Sequence, residues 1–194
     1  MRNVVNPERH AALDKCKEQL ENQLRSRFSD YDRAALKALP IIQAYNTYYK
    51  RYKKTCHVQL QLESVVFKGK SIPRVAGLVE AMFMAELKNL LLTTGHDLEA
   101  LQMPVKIDVA KGSECYIRLD GQEQELKPGD VMIAYAQGVT SSVLYGHDRR
   151  TPPHLRLGRF SLQSMHPLVL GNRQCTSISR TFSQIAWLWH PKRK

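Results

Sequence analysis

Residues 66–101 read VFKGKSIPRVAGLVEAMFMAELKNLLLTTGHDLEAL, and the fold turns on how this stretch is divided. It holds a basic turn, Lys68-Gly69-Lys70, a proline suited to a helix start, Pro73, and a long apolar segment from Val75 to Leu92. Apolar residues at Leu78, Val79, Met82, Met84, Ala85, Leu87, Leu90, Leu91 and Leu92 cover most of a helical surface instead of one stripe, which predicts a helix buried on nearly all sides. The segment approaches membrane-spanning length, but Glu80, Glu86 and Lys88 lie within it, so it reads as a core helix. Gly95 suits the C-terminal cap, where a left-handed residue is favoured. His96 and Asp97 then fall just past the end of a buried helix, where a pocket can open.

Working outward towards the N-terminus, Asn6-Pro7-Glu8 has the chemistry of a helix start. Leu13, Cys16, Leu20 and Leu24 form a stripe that predicts a helix from Pro7 to about Arg27. Ser29 or Asp30 suits the cap of a second helix, which Pro40 interrupts. The next run contains AYNTYYKRYKK, with Tyr45, Tyr48, Tyr49 and Tyr52 beside Lys50, Arg51, Lys53 and Lys54. Tyrosines stack on bases and lysines neutralise phosphates, so the run is a candidate RNA-binding segment. The spacing of Tyr45, Tyr48 and Tyr52 equally suits a helix with its tyrosines packed inward and its cations in water. Residues 57–67 combine strand alternation (Val58, Leu60, Leu62) with helical spacing (Leu62, Val65, Val66), and helix is preferred. Lys68, Lys70 and Arg74 add cations near the basic turn. There is no GxxxxGK[ST], hence no expected nucleoside triphosphate site. Arg74 suits either a carboxylate or a phosphate.

Towards the C-terminus the period changes to two. Val105, Ile107 and Val109 alternate with polar residues, Cys115, Ile117 and Leu119 continue the pattern, and Asp120-Gly121 signals a hairpin. Glu123–Leu126 reads as the return strand. Pro128-Gly129 marks another turn before Val131, Ile133 and Tyr135. Val139–Tyr145 is a further strand, and His147 to Arg150 a turn. Helices followed by a β meander define an α+β fold, with N-terminal helices packed on an antiparallel or mixed β-sandwich core.

The 194 residues carry a net charge of +11, yet nine of the 29 Lys and Arg lie from Arg149 onward with no acidic residue among them, leaving 20 cations against 18 anions before that point. The basicity is therefore a property of the tail. Cys16, Cys56, Cys115 and Cys175 lie far apart without a CxxC pair, which suits reduced thiols and offers no zinc site. The polar N-terminus has no signal-peptide core, and the expected location is the cytoplasm. Catalytic signatures such as GxSxG, HExxH and the dinucleotide fingerprint are missing from the sequence, and no cofactor is expected. The titratable cluster is His96 and Asp97, joined by His147 and Asp148 from the later turn. A His beside an Asp can orient a water near neutral pH, while His96 can equally cap helix-end carbonyls.

The ordered series IPR, an apolar helix, GHDLEAL, LDGQEQEL and PGDV resembles the editing module of the phenylalanyl-tRNA synthetase beta subunit, and above all the stand-alone proteins built from that module. The likeness covers residues 6–151. It implies a single editing-like domain at 1–152, with a helical part at 6–101 and a β-rich part at 104–152. It also implies a tRNA partner held by its aminoacylated 3′ end, and hydrolysis of a mischarged amino-acid ester without a Ser or Cys nucleophile. Carried over by position, His96 and Asp97 are catalytic, and Glu80, Phe83, Gly95, His147 and Asp148 line the substrate pocket. One departure matters. Where the family has a segment like VDxxN, this chain has VEAMF, with Phe83 at the Asn place. Either the amino-acid specificity differs or editing is lost, and a non-catalytic tRNA or amino-acid binding protein is the alternative. No synthetase core is present in the sequence, so aminoacylation is not expected.

Residues 153–194 fit this pattern poorly. Related domains close here with an apolar strand, whereas the tail shows no clear alternation or helical stripe. One base out of frame, with a suitable choice of synonymous codons, it gives an apolar strand, a Pro-Gly turn and an amphipathic acidic helix. On that reading the frame changes near residues 152–154, the tail is aberrant, the closing strand is missing, and the product folds poorly or does not function; the alternative is a divergent basic tail.

Overall fold

The computed structural model describes residues 2–6, 8–101, 103–151 and 156–164. It has an α+β architecture with five helices and nine strands among those residues. They fall into two compact units, one helical (residues 8–93) and one β-rich (residues 94–151 together with strands at 2–5 and 156–164).

The helical unit begins with α1 (Ala11–Arg27), whose N-cap is His10, so the expected start at Asn6-Pro7 is displaced by one turn. The expected cap at Ser29 or Asp30 also moves: Asp32 caps α2 (Arg33–Lys37) by accepting the Ala35 N–H at 2.7 Å. Pro40 opens α3 (Pro40–Lys50), where its missing N–H costs nothing. α4 (His57–Lys68) is the helix preferred from sequence and ends at Gly69, with φ of 62°. α5 is Gly77–Asn89.

Helices α1, α4 and α5 pack around Leu13, Leu20, Leu24, Leu62, Val65, Met84 and Leu87. Tyr45, Tyr48 and Tyr49 are buried, which favours the inward-packed reading of the tyrosine run, and the Tyr45 hydroxyl accepts the Leu92 N–H at 2.8 Å. Two charged side chains on α1 organise the connection between α4 and α5. Glu21 accepts the Ile72 N–H at 2.8 Å, and Arg25 donates to the Val65 carbonyl at 3.2 Å.

The end of α5 corrects the expected cap. The left-handed position is Leu90, at φ of 56°, and not Gly95. A left-handed conformation costs a non-glycine residue about 1–2 kcal/mol. Leu90 offsets this by burying its side chain in the helical core, a gain of about 1.5–3 kcal/mol. Gly95, His96 and Asp97 consequently do not form a polar break. They belong to β2 (Thr93–Asp97), a largely buried strand.

The β-rich unit holds three sheets. One has the order β1 (Arg2–Val5), β9 (Arg156–Ser164), β2. The second has β3 (Lys106–Val109), β6 (Val131–Tyr135), β7 (Gly138–Ser142) and β8 (Gly146–His147), antiparallel throughout. The third is the hairpin of β4 (Cys115–Ile117) and β5 (Glu123–Glu125), turned at Asp120-Gly121. Ala110, Tyr116, Leu126, Met132 and Val139 form its apolar core. Strand β3 forms where the alternation predicts it, but its apolar positions face outward: Ile107 and Val109 are 64% and 52% exposed, and Asp108 between them is the more buried residue. Residues 156–164, within the stretch read from sequence as an aberrant tail, form strand β9, which pairs antiparallel with β1. The remainder of the tail, with the out-of-frame reading that concerns it, lies outside the described residues. Among the described residues, no helix is long and apolar enough to cross a membrane.

Candidate functional site

Within the β-rich unit, β2 carries Thr94 and His96 two residues apart, so their side chains share one face of the strand. β7 supplies Ser141, β8 supplies His147, and the turn after β8 supplies Asp148 and Thr151. The rings of His96 and His147 lie 4.6 Å apart between centroids, tilted by 56°. Thr94 Oγ1 sits between them, 3.2 Å from His96 Nε2 and 2.8 Å from His147 Nε2.

A buried carboxylate backs the pair. Asp148 Oδ1 accepts both the Thr151 hydroxyl at 2.6 Å and the Thr151 N–H at 3.1 Å, while Oδ2 accepts Arg150 Nε at 2.7 Å. Arg150 is fixed in turn by the carbonyls of Gln137 and Val139, at 3.0 and 2.8 Å, and lies over the Tyr135 ring. Because the Thr151 hydroxyl proton points at Asp148, its oxygen must accept from His96 Nδ1, 3.0 Å away. This places the His96 proton on Nδ1 and turns the Nε2 lone pair towards Thr94 and Ser141, whose Oγ is 3.3 Å distant. When Thr94 donates to His96 it accepts from His147 Nε2–H, and His147 Nδ1 is then a bare acceptor. That Nδ1 atom is buried and has no hydrogen-bond partner among the described residues.

Burial, joined by mutual repulsion, pushes the His96 imidazole down to about 3, and burial lowers His147 to about 4 against the partial opposition of Asp148. Both rings are therefore neutral at pH 7. The arrangement is a chain of alternating hydroxyls and imidazoles running from a buried carboxylate to a buried ring nitrogen that has no partner among the described residues. A proton taken up at His147 Nδ1 can pass from His147 Nε2 through Thr94 to His96 Nε2, creating an imidazolium whose Nδ1–H faces the Thr151–Asp148 pair.

The sequence candidates are thus divided. His96, His147 and Asp148 come together. Gly95 is in the same strand as His96. Asp97 is adjacent in sequence but turned to the other face, where its carboxylate accepts the Glu99 N–H at 2.9 Å in a local turn. Glu80 and Phe83 belong to the helical unit. Glu80 is buried, 2.6 Å from Lys17 Nζ and 2.9 Å from the Val75 N–H, and Phe83 packs against the helical core. Thr94, Ser141, Thr151 and Arg150 escaped the sequence reading. Thr94 was within reach, since a strand puts residue i−2 beside His96.

Of the candidate RNA contacts, Lys50, Arg51 and Lys53 are exposed and Lys54 is half-buried. Lys68 and Lys70 flank the left-handed Gly69 that caps α4, and both are exposed. Arg74 pairs with Asp14 at 3.1 Å, the carboxylate alternative. Among the described residues, no group of three or more His, Cys, Asp or Glu is placed to hold a metal ion. In comparisons with known proteins, neither a family model nor a curated protein matches the chain.

Proposed function

We propose that the chain is a free-standing editing-type domain that hydrolyses the ester of a mischarged aminoacyl-tRNA in trans. The observation that carries this reading is the buried Nδ1 of His147, which has no hydrogen-bond partner among the described residues, at the end of a relay backed by Asp148. A water hydrogen-bonded to that atom would lose its proton to His147 as it attacks the ester carbonyl. The proton passes through Thr94 to His96 and returns to the departing 3′ oxygen of the tRNA, so the relay ends as it began. Such a site needs no nucleophilic side chain. The ordered likeness of residues 6–151 to the synthetase editing module supports the substrate class. The same reading takes the antiparallel sheets as the sandwich of that module, and the cytoplasm as the place of action.

The test is deacylation of a panel of misacylated tRNAs by the wild type and by His147→Gln, Thr94→Val and His96→Ala. We expect hydrolysis of at least one substrate by the wild type, and its loss in all three variants with tRNA binding intact. Full activity in His147→Gln would refute the relay. A second reading, a non-catalytic tRNA or amino-acid binder, is favoured by the depressed basicity of both rings, since a base near 4 extracts a proton from water weakly. Tight tRNA binding without hydrolysis of any ester would establish it. A chain that does neither would be the inactive, frameshifted product.

A further inference from the structure

A second feature lies wholly within the helical unit. Gln43, Asn46, Thr47 and Lys50 follow the i, i+3, i+4, i+7 spacing along one face of α3, opposite the buried Ile42, Tyr45 and Tyr49. This polar face forms one wall of an open cleft of about 530 Å³, completed by Lys37 at the end of α2, by Lys54 and by Gln59 of α4. The cleft falls in the size range of ligand sites, about 300–1,000 Å³, but its walls are not those of an apolar pocket. Three lysines line it, and among the described residues its lining contains no carboxylate and no aromatic ring.

The wall is also internally fixed. Asn46 Nδ2 donates to Gln59 Oε1 at 2.7 Å, Gln59 Nε2 donates to Glu63 at 2.7 Å, and the Thr47 hydroxyl donates to the Gln43 carbonyl at 2.9 Å. The Asn46–Gln59 bond ties α3 to α4, the other two bonds lie within their helices, and the lysines Lys37, Lys50 and Lys54 give the lining its charge. Clustered ammonium groups in a lining that holds no carboxylate attract multiply charged anions. Without aromatic platforms there is nothing to stack a base, so the recognition suits phosphate and not nucleobase.

We propose that this cleft holds the phosphodiester backbone of RNA through Lys37, Lys50 and Lys54. The proposal rests on the RNA-binding part of the function above and assigns where the backbone is gripped. It separates Lys50 and Lys54 from Lys68 and Lys70, which flank the glycine cap of α4, and from Arg74, which pairs with Asp14.

The experiment measures tRNA binding to the full chain by fluorescence anisotropy over a range of salt. It compares the wild type with Lys37→Gln/Lys50→Gln/Lys54→Gln, with the exposed single change Lys50→Gln, and with Lys68→Gln/Lys70→Gln as control. Each lost phosphate contact removes about 0.7–0.9 from the slope of log affinity against log salt, so the triple variant should lose about 2–3 from that slope. Its affinity at low salt should fall at least ~10-fold, Lys50→Gln should fall in the same direction, and the control should stay within about twofold. Wild-type affinity and slope in the triple variant would overturn this proposal alone. If the wild type binds no tRNA, the deacylation reading falls with it. If inorganic phosphate, followed by amide shifts of Lys50 and Lys54, saturates the cleft while tRNA does not bind, the site takes a small anion and the backbone assignment is wrong.

Discussion

Glu86 gives the sharpest test of the packing described above. It is fully enclosed in the helical unit, and burial pushes its carboxyl up from an ordinary 4.5 to about 7 against two hydrogen bonds from Thr93. Both bonds, from the backbone N–H at 2.7 Å and the hydroxyl at 3.0 Å, end on the same oxygen, Oε1. Glu86→Gln keeps an oxygen there and removes the ionisation. At 1.36 kcal/mol for each pH unit, a displacement from 4.5 to about 7 makes the ionised carboxylate cost the native state about 3 kcal/mol. The native protein binds more protons than the unfolded chain in this window. Glu86 therefore lowers stability progressively as pH rises from about 4.5 to about 7, and by a constant amount above that. His96 and His147 act in the opposite sense. Their folded values lie below the ordinary 6.5, so their contribution is complete above 6.5 and is lost as pH falls towards 4 and 3. A raw stability curve mixes these effects, but the difference between wild type and Glu86→Gln isolates one of them. Urea unfolding followed by circular dichroism at several pH values should show the variant gaining on the wild type by about 3 kcal/mol between pH 4.5 and 7.5, and the Glu86 carboxyl carbon should titrate near 7 in NMR. A difference that does not change with pH, or a carboxyl midpoint below about 5, would show that burial does not hold Glu86 protonated.

Other consequences are open to measurement. Lys17 and Glu80 are 8% and 3% exposed, so Lys17→Met strands a buried carboxylate and should cost about 3–5 kcal/mol in urea unfolding, while Lys17→Met combined with Glu80→Leu should cost less than that single change. Asp148→Asn takes the charge from under Thr151 and Arg150 and should cost about 1.5–3 kcal/mol by the same assay. Replacing both His96 and His147 by Gln should flatten the loss of stability between pH 6.5 and 4, measured as unfolding midpoint against pH. Gly112 has φ of 104°, and a Cβ there would sit 2.7 Å from Pro128 Cγ, so Gly112→Ala should lower the thermal midpoint, with a cost of about 1–3 kcal/mol.

Much of the fold was legible because local signals agreed with tertiary need. The α1 stripe, Pro40 at a helix start, the Asp120-Gly121 hairpin and the Val131, Ile133, Tyr135 alternation each placed an element within a few residues. What escaped was set by burial that no local pattern announces. Thr93, Thr94, Gly95 and His96 look like a polar interruption, yet all four are buried. They tolerate it because Glu86, seven residues back, answers Thr93, while His147, Ser141 and Thr151 answer Thr94 and His96 from far along the chain. The α5 cap moved for a related reason. Gly95 offered the easier left-handed residue, but Leu90 in that position fills the helical core. In the basic run, tyrosine spacing pointed inward and the structure agrees, while the cleft-forming stripe of Gln43, Asn46, Thr47 and Lys50 became visible only once α3 and α4 were side by side.

The choice between Asp97 and Asp148 as the partner of His96 shows where sequence adjacency misleads. Had residues 93–97 been the end of a helix, Asp97 would be a natural companion for its neighbour. In a strand, successive side chains point to opposite faces, so a residue at i+1 is the one least able to orient the ring. The same rule promotes Thr94, at i−2, to the shared face, where its hydroxyl lies 3.2 Å from His96 Nε2. The other ring nitrogen must then be answered from elsewhere, and Thr151 does so. A threonine in that place has a single proton to give, and Asp148 takes it at 2.6 Å. The carboxylate therefore sets the tautomer of a ring it does not touch. If Thr151→Val is made, His96 loses the acceptor for Nδ1–H and nothing holds the proton away from Nε2. The relay to His147 should then fail although both histidines and Asp148 are intact, and hydrolysis should fall without loss of tRNA binding. Undiminished hydrolysis in that variant would show that the orientation of His96 does not depend on the carboxylate behind it.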